Sequence, residues 1–324
     1  HSTEEILRVS APGGVACKRR GGTWNRTVKP GPEDLDDWTH FQHGPDNNAV
    51  AEDEVVGPPR RMQWLAGPTW TRHHHSDKGT APTVRAVVSS RGRLYYTIDE
   101  TATSNMKVPS EWFLAARDAF SGVLLWKAPI RRAGYPRRLE EVWRGLIADG
   151  DAVYAQLGAD EPLSELNGAT GALNRTYPGT ESVSEVIKHQ GSLFVATRDS
   201  VLLTFDAASG ELLWRWEPGE EGPMVPLTLA AAEGKVFVRT DVSLRCLAAT
   251  DGEPLWHFTP EGARKRIRLK WPRERLLVKD GVVLCSYGGG DPNVLNRDSY
   301  EFLGSHPRVH EYGAKLAALS AADG

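Results

Sequence analysis

The chain has 324 residues, of which 40% are hydrophobic and 25% charged, with a formal net charge of −3 at pH 7. This is the composition of a globular protein with a large core, and its near-neutral charge argues against binding duplex DNA by phosphate neutralisation. Three scattered cysteines and no apolar run of 18 residues argue against a disulfide framework, a thiolate zinc site and a membrane-spanning segment.

The first 30 residues differ in pattern from the rest. Thr3–Val9 has a helical pattern, and Pro12-Gly13-Gly14 marks a turn into a strand. The cluster Lys18-Arg19-Arg20 is short, which is typical of a solvated face. The order helix, Pro-Gly-Gly, strand resembles the late segment of Rossmann-like methyltransferase domains. This resemblance implies that 1–30 is the tail of an upstream α/β domain with a linker; its cofactor-binding glycines are not in this chain, so we assign it no methyltransferase activity.

Two histidine-containing segments follow. In His73-His74-His75, alternate positions of a strand point to opposite faces, so only His73 and His75 can share a metal ion, with Asp77 beside them. We favour the alternative, a polar loop. His40 and His43 lie beside Asp46-Asn47-Asn48, where Gly44-Pro45 indicates a loop. We expect these polar side chains to make turn hydrogen bonds rather than bind a ligand.

A repeated strand pattern begins near residue 92. A turn glycine followed by β-branched and aromatic residues recurs at intervals of 41–58 residues. The five glycines are Gly92, Gly150, Gly191, Gly234 and Gly281. A period near 40–45 residues with about four short strands per unit is typical of a β-propeller blade.

A second pattern lies downstream of each of these glycines. Asp or Asn opens a short turn by accepting backbone N–H groups, a glycine closes it with a positive φ, and a tryptophan follows four residues later. We expect this tryptophan to fill the wedge between adjacent sheets. The turn residues are Asp118, Gly122 and Trp126; Asn167 and Gly171; Asp206, Gly210 and Trp214; Gly252 and Trp256; and Gly324. Arg175 replaces the tryptophan in the second copy.

The longest interruption of the repeat is 288–313. A long loop on a regular scaffold often carries binding function, and the alternative is a connection without a ligand. Its candidate ligand-binding residues are Asp291, Asn293, Asp298, His306 and His310.

The pattern Ala-x-Asp-x-x-Ser-Gly-x-x-x-Trp at 116–126 resembles the tryptophan-docking repeat of quinoprotein dehydrogenases, which use pyrroloquinoline quinone (PQQ). It is equally similar to the PQQ-like repeats of the propeller lipoprotein of the outer-membrane β-barrel assembly machinery. Asp37-Trp38, Pro58-Pro59-Arg60 and Gln63-Trp64 resemble the segment before the first blade of that family. The resemblance implies an all-β propeller of four-stranded PQQ-like blades over 31–324. About five blades are represented, and we expect an incomplete ring truncated at the C terminus.

The resemblance leaves several functions open. The dehydrogenases place adjacent cysteines against the quinone and hold calcium with Glu, Asn and Asp; this chain has no adjacent cysteines and no motif that assigns the calcium ligands. We therefore favour a non-catalytic binding scaffold or accessory domain of a larger bacterial protein. Its partner would be a protein, peptide or carbohydrate bound through propeller loops, and not a nucleic acid. The alternatives are a PQQ- and calcium-dependent alcohol or sugar dehydrogenase, and an accessory domain fused to a SAM-dependent methyltransferase-like domain. The resemblance also implies a periplasmic or envelope location.

Overall fold

The structure is a computed structural model that describes residues 2–54, 57, 62–67, 74–76, 79–81, 84–101, 108–131, 144–260, 275–287 and 315–324. Its N-terminal part is the predicted helix α1 (Thr3–Val9), capped by the Ser2 hydroxyl, followed by a hairpin of β1 (Val15–Arg20) and β2 (Thr23–Val28). A short hairpin, β3 (His74–Ser76) and β4 (Gly79–Ala81), precedes the repeats.

Five antiparallel sheets follow in the described residues, and we number them as blades 1 to 5. Blade 1 is β5 (Val84–Ser90), β6 (Arg93–Asp99), β7 (Trp112–Asp118) and β8 (Leu124–Ile130). Blade 2 is β9 (Ile147–Asp149), β10 (Ala152–Gln156), β11 (Leu163–Asn167) and β12 (Leu173–Tyr177). Blade 3 is β13 (Val183–His189), β14 (Ser192–Thr197), β15 (Leu202–Asp206) and β16 (Leu212–Trp216).

The last two blades complete the described sheets. Blade 4 is β17 (Ala230–Ala232), β18 (Lys235–Arg239), β19 (Leu244–Ala248) and β20 (Pro254–Phe258), preceded by the 3₁₀ turn Gly219–Glu221. Blade 5 has three described strands, β21 (Leu276–Lys279), β22 (Val282–Tyr287) and β23 (Lys315–Ser320). Within every blade the strands pair in chain order, as in a meander.

The blades stand side by side around a common axis. The innermost strands β5, β9, β13, β17 and β21 are neighbours in that order. A separate hydrophobic core lies between each pair of adjacent blades, built from the inward residues of both sheets. Sheets packed face to face in this radial order form a β-propeller, so the predicted all-β fold with four-stranded blades is confirmed. The described residues contain no helix long and apolar enough to cross a membrane.

Candidate functional site: the central plug and the two faces

Tryptophans dock each blade onto the next. Trp126 of blade 1 donates its indole N–H to the Gly168 carbonyl of blade 2 at 2.8 Å. A Cβ on Gly171 would lie 2.7 Å from the Trp126 ring, so only glycine fits beneath the indole. Trp214 and Trp256 make the same N–H bond to the next blade, at 3.0 and 3.3 Å, and cover Gly252 and Gly324.

The turns that receive these tryptophans are closed by their first residue. Asp118 Oδ1 accepts the amides of Phe120 and Ser121 at 3.1 and 2.7 Å. Asn167 Oδ1 and Asp206 Oδ1 accept amides of their turns in the same way. The hydrogen bonds that Ser209 donates to Asp206 are the largest cause of the lowered pKa of this carboxyl group. The closing residues Gly122, Gly171, Gly210, Gly252 and Gly324 all have φ between 72° and 93°.

Trp64 has a role that the repeat pattern did not assign to it. Its indole N–H donates to the Ala119 carbonyl at 2.9 Å, and its ring covers Gly122. Trp64 therefore docks onto a turn of blade 1 in the same way that Trp126 docks onto a turn of blade 2. Its side chain comes from 62–67, a segment outside the five described sheets, and the Arg117 guanidinium also donates to the Gly67 carbonyl of this segment at 2.8 Å.

Arg175 takes the place of the tryptophan between blades 2 and 3. Its guanidinium lies over Gly210 and pairs with Glu165, Nε to Oε2, at 3.2 Å. Glu165 lies opposite Arg175 on the neighbouring strand, at a position where blades 1, 3 and 4 have Ala116, Thr204 and Cys246. The Tyr177 hydroxyl donates to Glu165 at 2.8 Å and lies 3.3 Å from the Ala207 carbonyl, the acceptor that an indole uses elsewhere. At this docking position a charged pair therefore replaces the indole of the other described junctions.

The centre of the ring is filled by residues 36–48, which we call the plug. Its backbone carbonyls accept amides from the innermost strands of four blades, at 2.7–2.9 Å. These bonds run from Ser89 to Trp38, from Ala148 to Thr39, from Ala231 to Pro45 and from Val278 to Asp46. The Lys188 amide of blade 3 donates to His40 Nε2 at 3.1 Å. One short segment thus bonds to all five described blades.

His40 is a buried, neutral part of the plug. Because its Nε2 accepts a hydrogen bond, the ring proton of His40 is on Nδ1. This N–H donates to the Thr39 hydroxyl at 2.7 Å, and the hydroxyl in turn donates to the His43 carbonyl at 3.0 Å. The pKa of His40 is lowered to about 3, and burial is the largest cause. Lys188 and two nearby histidines also lower this pKa, whereas Asp149 raises it. His43 pairs with Asp36 at 2.6 Å. Both histidines have structural partners.

Asn47 ties two blades together. Its side-chain amide donates to the Leu229 carbonyl of blade 4 at 2.8 Å and to the Leu276 carbonyl of blade 5 at 3.1 Å. It is buried and adopts φ 60°, a left-handed conformation that Asn tolerates better than most residues. Asp46 makes the predicted turn bond, accepting the Asn48 amide at 3.1 Å.

Above the plug lies a buried ion pair between Arg144 and Glu185. The Arg144 guanidinium donates to Glu185, stacks on the Phe41 ring at 5.1 Å and reaches Gln42 at 3.4 Å. Burial lowers the pKa of Arg144 to about 10, so it stays charged at neutral pH, and burial raises the pKa of Glu185. The adjoining cavity, lined by both residues and by the plug, holds about 10 Å³, room for roughly one water molecule.

The two faces of the propeller differ in their connections. On the turn face, which carries Arg91–Gly92 and Asp118–Gly122, connections between strands within the blades have two or five residues. The plug bonds to the innermost strands near this face. On the opposite loop face, connections have 4 to 27 residues and include every link between blades. The chain leaves the described part at Tyr287 and returns at Lys315 on the loop face, so the predicted ligand loop begins and ends there.

Most of the predicted ligand-binding residues lie outside the described residues. These are His73, Asp77, Asp291, Asn293, Asp298, His306 and His310. The backbone of His75 lies in β3, and its side chain is outside the described part. Their proposed binding roles stay predictions. The sequence also gave no sign of the Arg144–Glu185 pair, because its members are 41 residues apart and neither belongs to a motif.

Among the described residues, no three His, Cys, Asp or Glu side chains are placed to hold a metal ion. Glu185, a buried carboxylate beside the plug, accepts Arg144 with one oxygen and the Leu227 amide with the other, at 3.1 Å. Residues of the plug fill the axis on the turn-face side.

Radial four-stranded blades, tryptophan docking and Asp/Asn-to-Gly turns define a β-propeller of PQQ-like repeats. The family model described as outer membrane protein assembly factor BamB matches residues 114–324. This is more than half of the chain, and the chain belongs to that family.

Known proteins with similarity to the chain include one sequence relative and two solved structures. Outer membrane protein assembly factor BamB of Shewanella oneidensis is 28% identical over 161 residues, which cover 43% of this chain and 39% of the relative. The chain thus spans about two fifths of that relative's length. BamB from Moraxella catarrhalis is 16% identical with a TM-score of 0.40, covering 64% of this chain and 68% of that one. Quinohemoprotein alcohol dehydrogenase from Comamonas testosteroni is 16% identical with a TM-score of 0.46, covering 78% and 46%.

Proposed function

We propose that the chain is a non-catalytic accessory propeller that holds an extended protein segment at its loop face, in the assembly of outer-membrane proteins. The observation that carries the proposal is the difference between the two faces. Short turns and the plug occupy the turn face, while every connection of more than five residues lies on the loop face. Binding residues concentrate on long loops that a rigid scaffold positions.

The family supports the choice of partner. The matching family and the Shewanella relative are both named as outer membrane protein assembly factors. A strand of an outer-membrane barrel, before it folds, is an extended segment that alternates apolar and polar side chains. A peptide of this kind is therefore the first ligand to test. A carbohydrate partner predicts no binding of such a peptide.

Two positions of blade 3 allow a matched experiment. Asp199 is exposed on the loop face, and Glu211 is exposed on the turn face. In a Cys17→Ser background, Asp199→Cys and Glu211→Cys each remove one carboxylate and add one exposed thiol. The maleimide reacts with this thiol because Cys246 and Cys285 are buried. Each variant is coupled to a polyethylene glycol maleimide. Binding of a fluorescein-labelled peptide, copied from one strand of an outer-membrane barrel, is followed by anisotropy.

We expect saturable binding that the polymer on Asp199→Cys weakens by at least about tenfold, while the polymer on Glu211→Cys changes it little; tenfold corresponds to about 1.4 kcal/mol. Equal weakening by both, or no binding of the peptide, would contradict the proposal. The dehydrogenase alternative is tested on the same protein with PQQ and calcium. Reduction of a dye that depends on added alcohol would support that alternative over a non-catalytic role.

A further inference from the structure

The plug ends at a small cavity on its loop-face side. Phe41 and Gln42 form the turn of the plug, and the Arg144 guanidinium stacks on the Phe41 ring. Arg144 lies just before β9 and Glu185 lies near the start of β13, so both are towards the loop-face ends of the innermost strands. Phe41 lines the cavity and is 36% exposed, so its ring borders both the cavity and the solvent. We call this cavity, lined by Phe41, Arg144 and Glu185, the tip pocket.

Arg144 has a buried hydrogen-bond donor that its neighbours do not use. Only 3% of its side chain is exposed, one terminal nitrogen donates to Glu185, and the other lies 3.4 Å from Gln42. Its Nε–H has no hydrogen-bond acceptor within the described part of the chain. A buried donor without an acceptor is destabilising, and the tip pocket, at about 10 Å³, has room for roughly one oxygen-sized atom. The pocket therefore favours an acceptor oxygen supplied by a water molecule or a ligand.

The charges around the tip pocket favour an anion over a water molecule. Glu185 is already occupied, because one of its oxygens accepts Arg144 and the other accepts the Leu227 amide at 3.1 Å. Arg275 lies directly before β21, also at the loop-face end of an innermost strand. Burial is the largest cause of the lowered pKa of Arg144, and the nearby charge of Arg275 lowers it further. Within the described part, two guanidinium groups thus interact around one carboxylate, which leaves a positive charge that an anion can balance.

We propose that the tip pocket binds a carboxylate group of the protein segment held at the loop face, with one carboxylate oxygen accepting the Arg144 Nε–H. This inference rests on the proposed function and adds a chemical requirement to it, a carboxylate in the bound segment. A carboxylate can insert one oxygen into a pocket of this size while its second oxygen stays outside in the field of Arg275. Hydrogen bonds between a guanidinium and a carboxylate are among the strong ones. A protein segment carries this group on Asp and Glu side chains and at its C terminus.

Three versions of the fluorescein-labelled barrel-strand peptide test this requirement on the full chain. The first has one Glu, no other acidic residue and an amidated C terminus. The second has Gln in place of that Glu, and the third has this Gln and a free C-terminal carboxylate. We expect at least one of the two peptides with a carboxylate to bind about tenfold more tightly than the neutral peptide, because it makes a charge-assisted hydrogen bond. The peptide with the higher affinity identifies the source of the carboxylate.

Variants of the chain locate the effect at the tip pocket. Arg144→Met with Glu185→Gln removes both charges of the buried pair, so neither is left unpaired; the preference for a carboxylate should disappear while the neutral peptide binds as before. Arg275→Gln should reduce the preference. Arg198→Gln removes an equal charge from an exposed position of the loop face and should leave it nearly unchanged. Equal affinity of the native chain for the three peptides, or equal effects of Arg275→Gln and Arg198→Gln, would overturn the inference and leave the proposed function standing.

A probe without a peptide separates the inference from the proposed function. Sodium acetate, compared with sodium chloride at equal ionic strength, should raise the midpoint of thermal unfolding of the native chain by about 1 °C at roughly 0.1 M, because a ligand of the folded state stabilises it. The variant Arg144→Met with Glu185→Gln should show no such rise. Stabilisation by acetate without binding of any peptide would support the pocket and contradict the proposed function. Absence of both the acetate effect and any preference for a carboxylate would make a water molecule the acceptor and overturn the inference.

Discussion

At the scale of single residues, the junction between blades 2 and 3 has a charged pair at a repeat position where blades 1, 3 and 4 have a small residue and a tryptophan. Glu165 and Arg175 are cross-strand partners. The Glu165 carboxylate is 90% buried, and it is balanced by Arg175 and by hydrogen bonds from Tyr177 and Asn174. Removing one partner of such a pair leaves a desolvated charge.

This pair predicts a non-additive double mutant. Arg175→Trp alone and Glu165→Ala alone should each lower the free energy of unfolding by roughly 1–3 kcal/mol, less than for a fully buried pair because Arg175 is a third exposed. The double variant restores the Ala–Trp pair of blade 1 and should regain most or all of the loss. Urea unfolding of the four proteins measures the coupling. Additive losses would show that the two residues do not act as a unit.

The docking turns predict a second effect, at Gly252. Its φ is 75°, and a Cβ there would lie 2.6 Å from the Trp214 ring. Gly281 has φ 73° with open space around it, so Gly281→Ala measures the backbone strain alone. We expect Gly281→Ala to cost about 1 kcal/mol and Gly252→Ala to cost at least about 1 kcal/mol more. Thermal unfolding of both variants measures the difference, and equal costs would mean that the indole moves aside freely.

Local chemistry explains which residue roles the sequence could predict. Asp118, Asn167 and Asp206 cap turns whose partners are two or three residues away, so a short motif contains the whole interaction. His40 bonds to a residue 148 positions away, and Asn47 to residues 182 and 229 positions away. The sequence predicted a structural role for these polar residues but gave no partner, because nothing near them in the chain carries the contact.

At the scale of elements, the plug connects the five described blades through hydrogen bonds. Each blade contributes an amide from the far end of its innermost strand, and the plug accepts all of them in chain order. Most of these acceptors are backbone carbonyls, which any sequence provides. The sequence therefore predicted a loop here. Its bonds to the five blades could not be predicted, because they depend on strands that lie far away in the sequence.

The plug also makes stability depend on pH through His40. Its folded pKa is about 3 against an ordinary value of 6.5, because burial disfavours the charged ring. The unfolded chain takes up a proton below pH 6.5 that the folded chain does not, so stability falls as the pH drops from 6.5 towards 3 and is unaffected above. The loss at pH 5 is about 2 kcal/mol.

Urea unfolding at pH 7 and pH 5 tests this dependence on pH. His40→Gln keeps an acceptor for the Lys188 amide and cannot titrate, so its loss between the two pH values should be smaller than that of the native chain by this amount. His257→Gln, on an exposed position of the outer strand β20, is the control and should behave like the native chain. An equal loss in the native chain and His40→Gln would show that His40 is not the group responsible.

At the scale of the whole molecule, the hydrophobic clusters of the described blades do not include the N-terminal part. The five hydrophobic clusters contain no residue before Ala86, so α1 and the hairpin add nothing to them. The plug, in contrast, lies within the ring and bonds to every described blade. The sequence predicted a boundary near residue 30 from a change of pattern, and these contacts give that boundary an energetic consequence that can be measured.

Two truncations test this separation. The chain 31–324 lacks the hairpin and is expected to unfold within about 2 °C of the full chain, because no core contact is lost. The chain 55–324 also lacks the plug, whose hydrogen bonds to the blades each contribute about 1 kcal/mol to a total stability of about 5–15 kcal/mol. We expect it to lose cooperative unfolding, measured by circular dichroism and calorimetry. If 55–324 unfolded cooperatively near the midpoint of 31–324, the cores between blades alone would hold the ring, and the plug would be a passive filling of its axis.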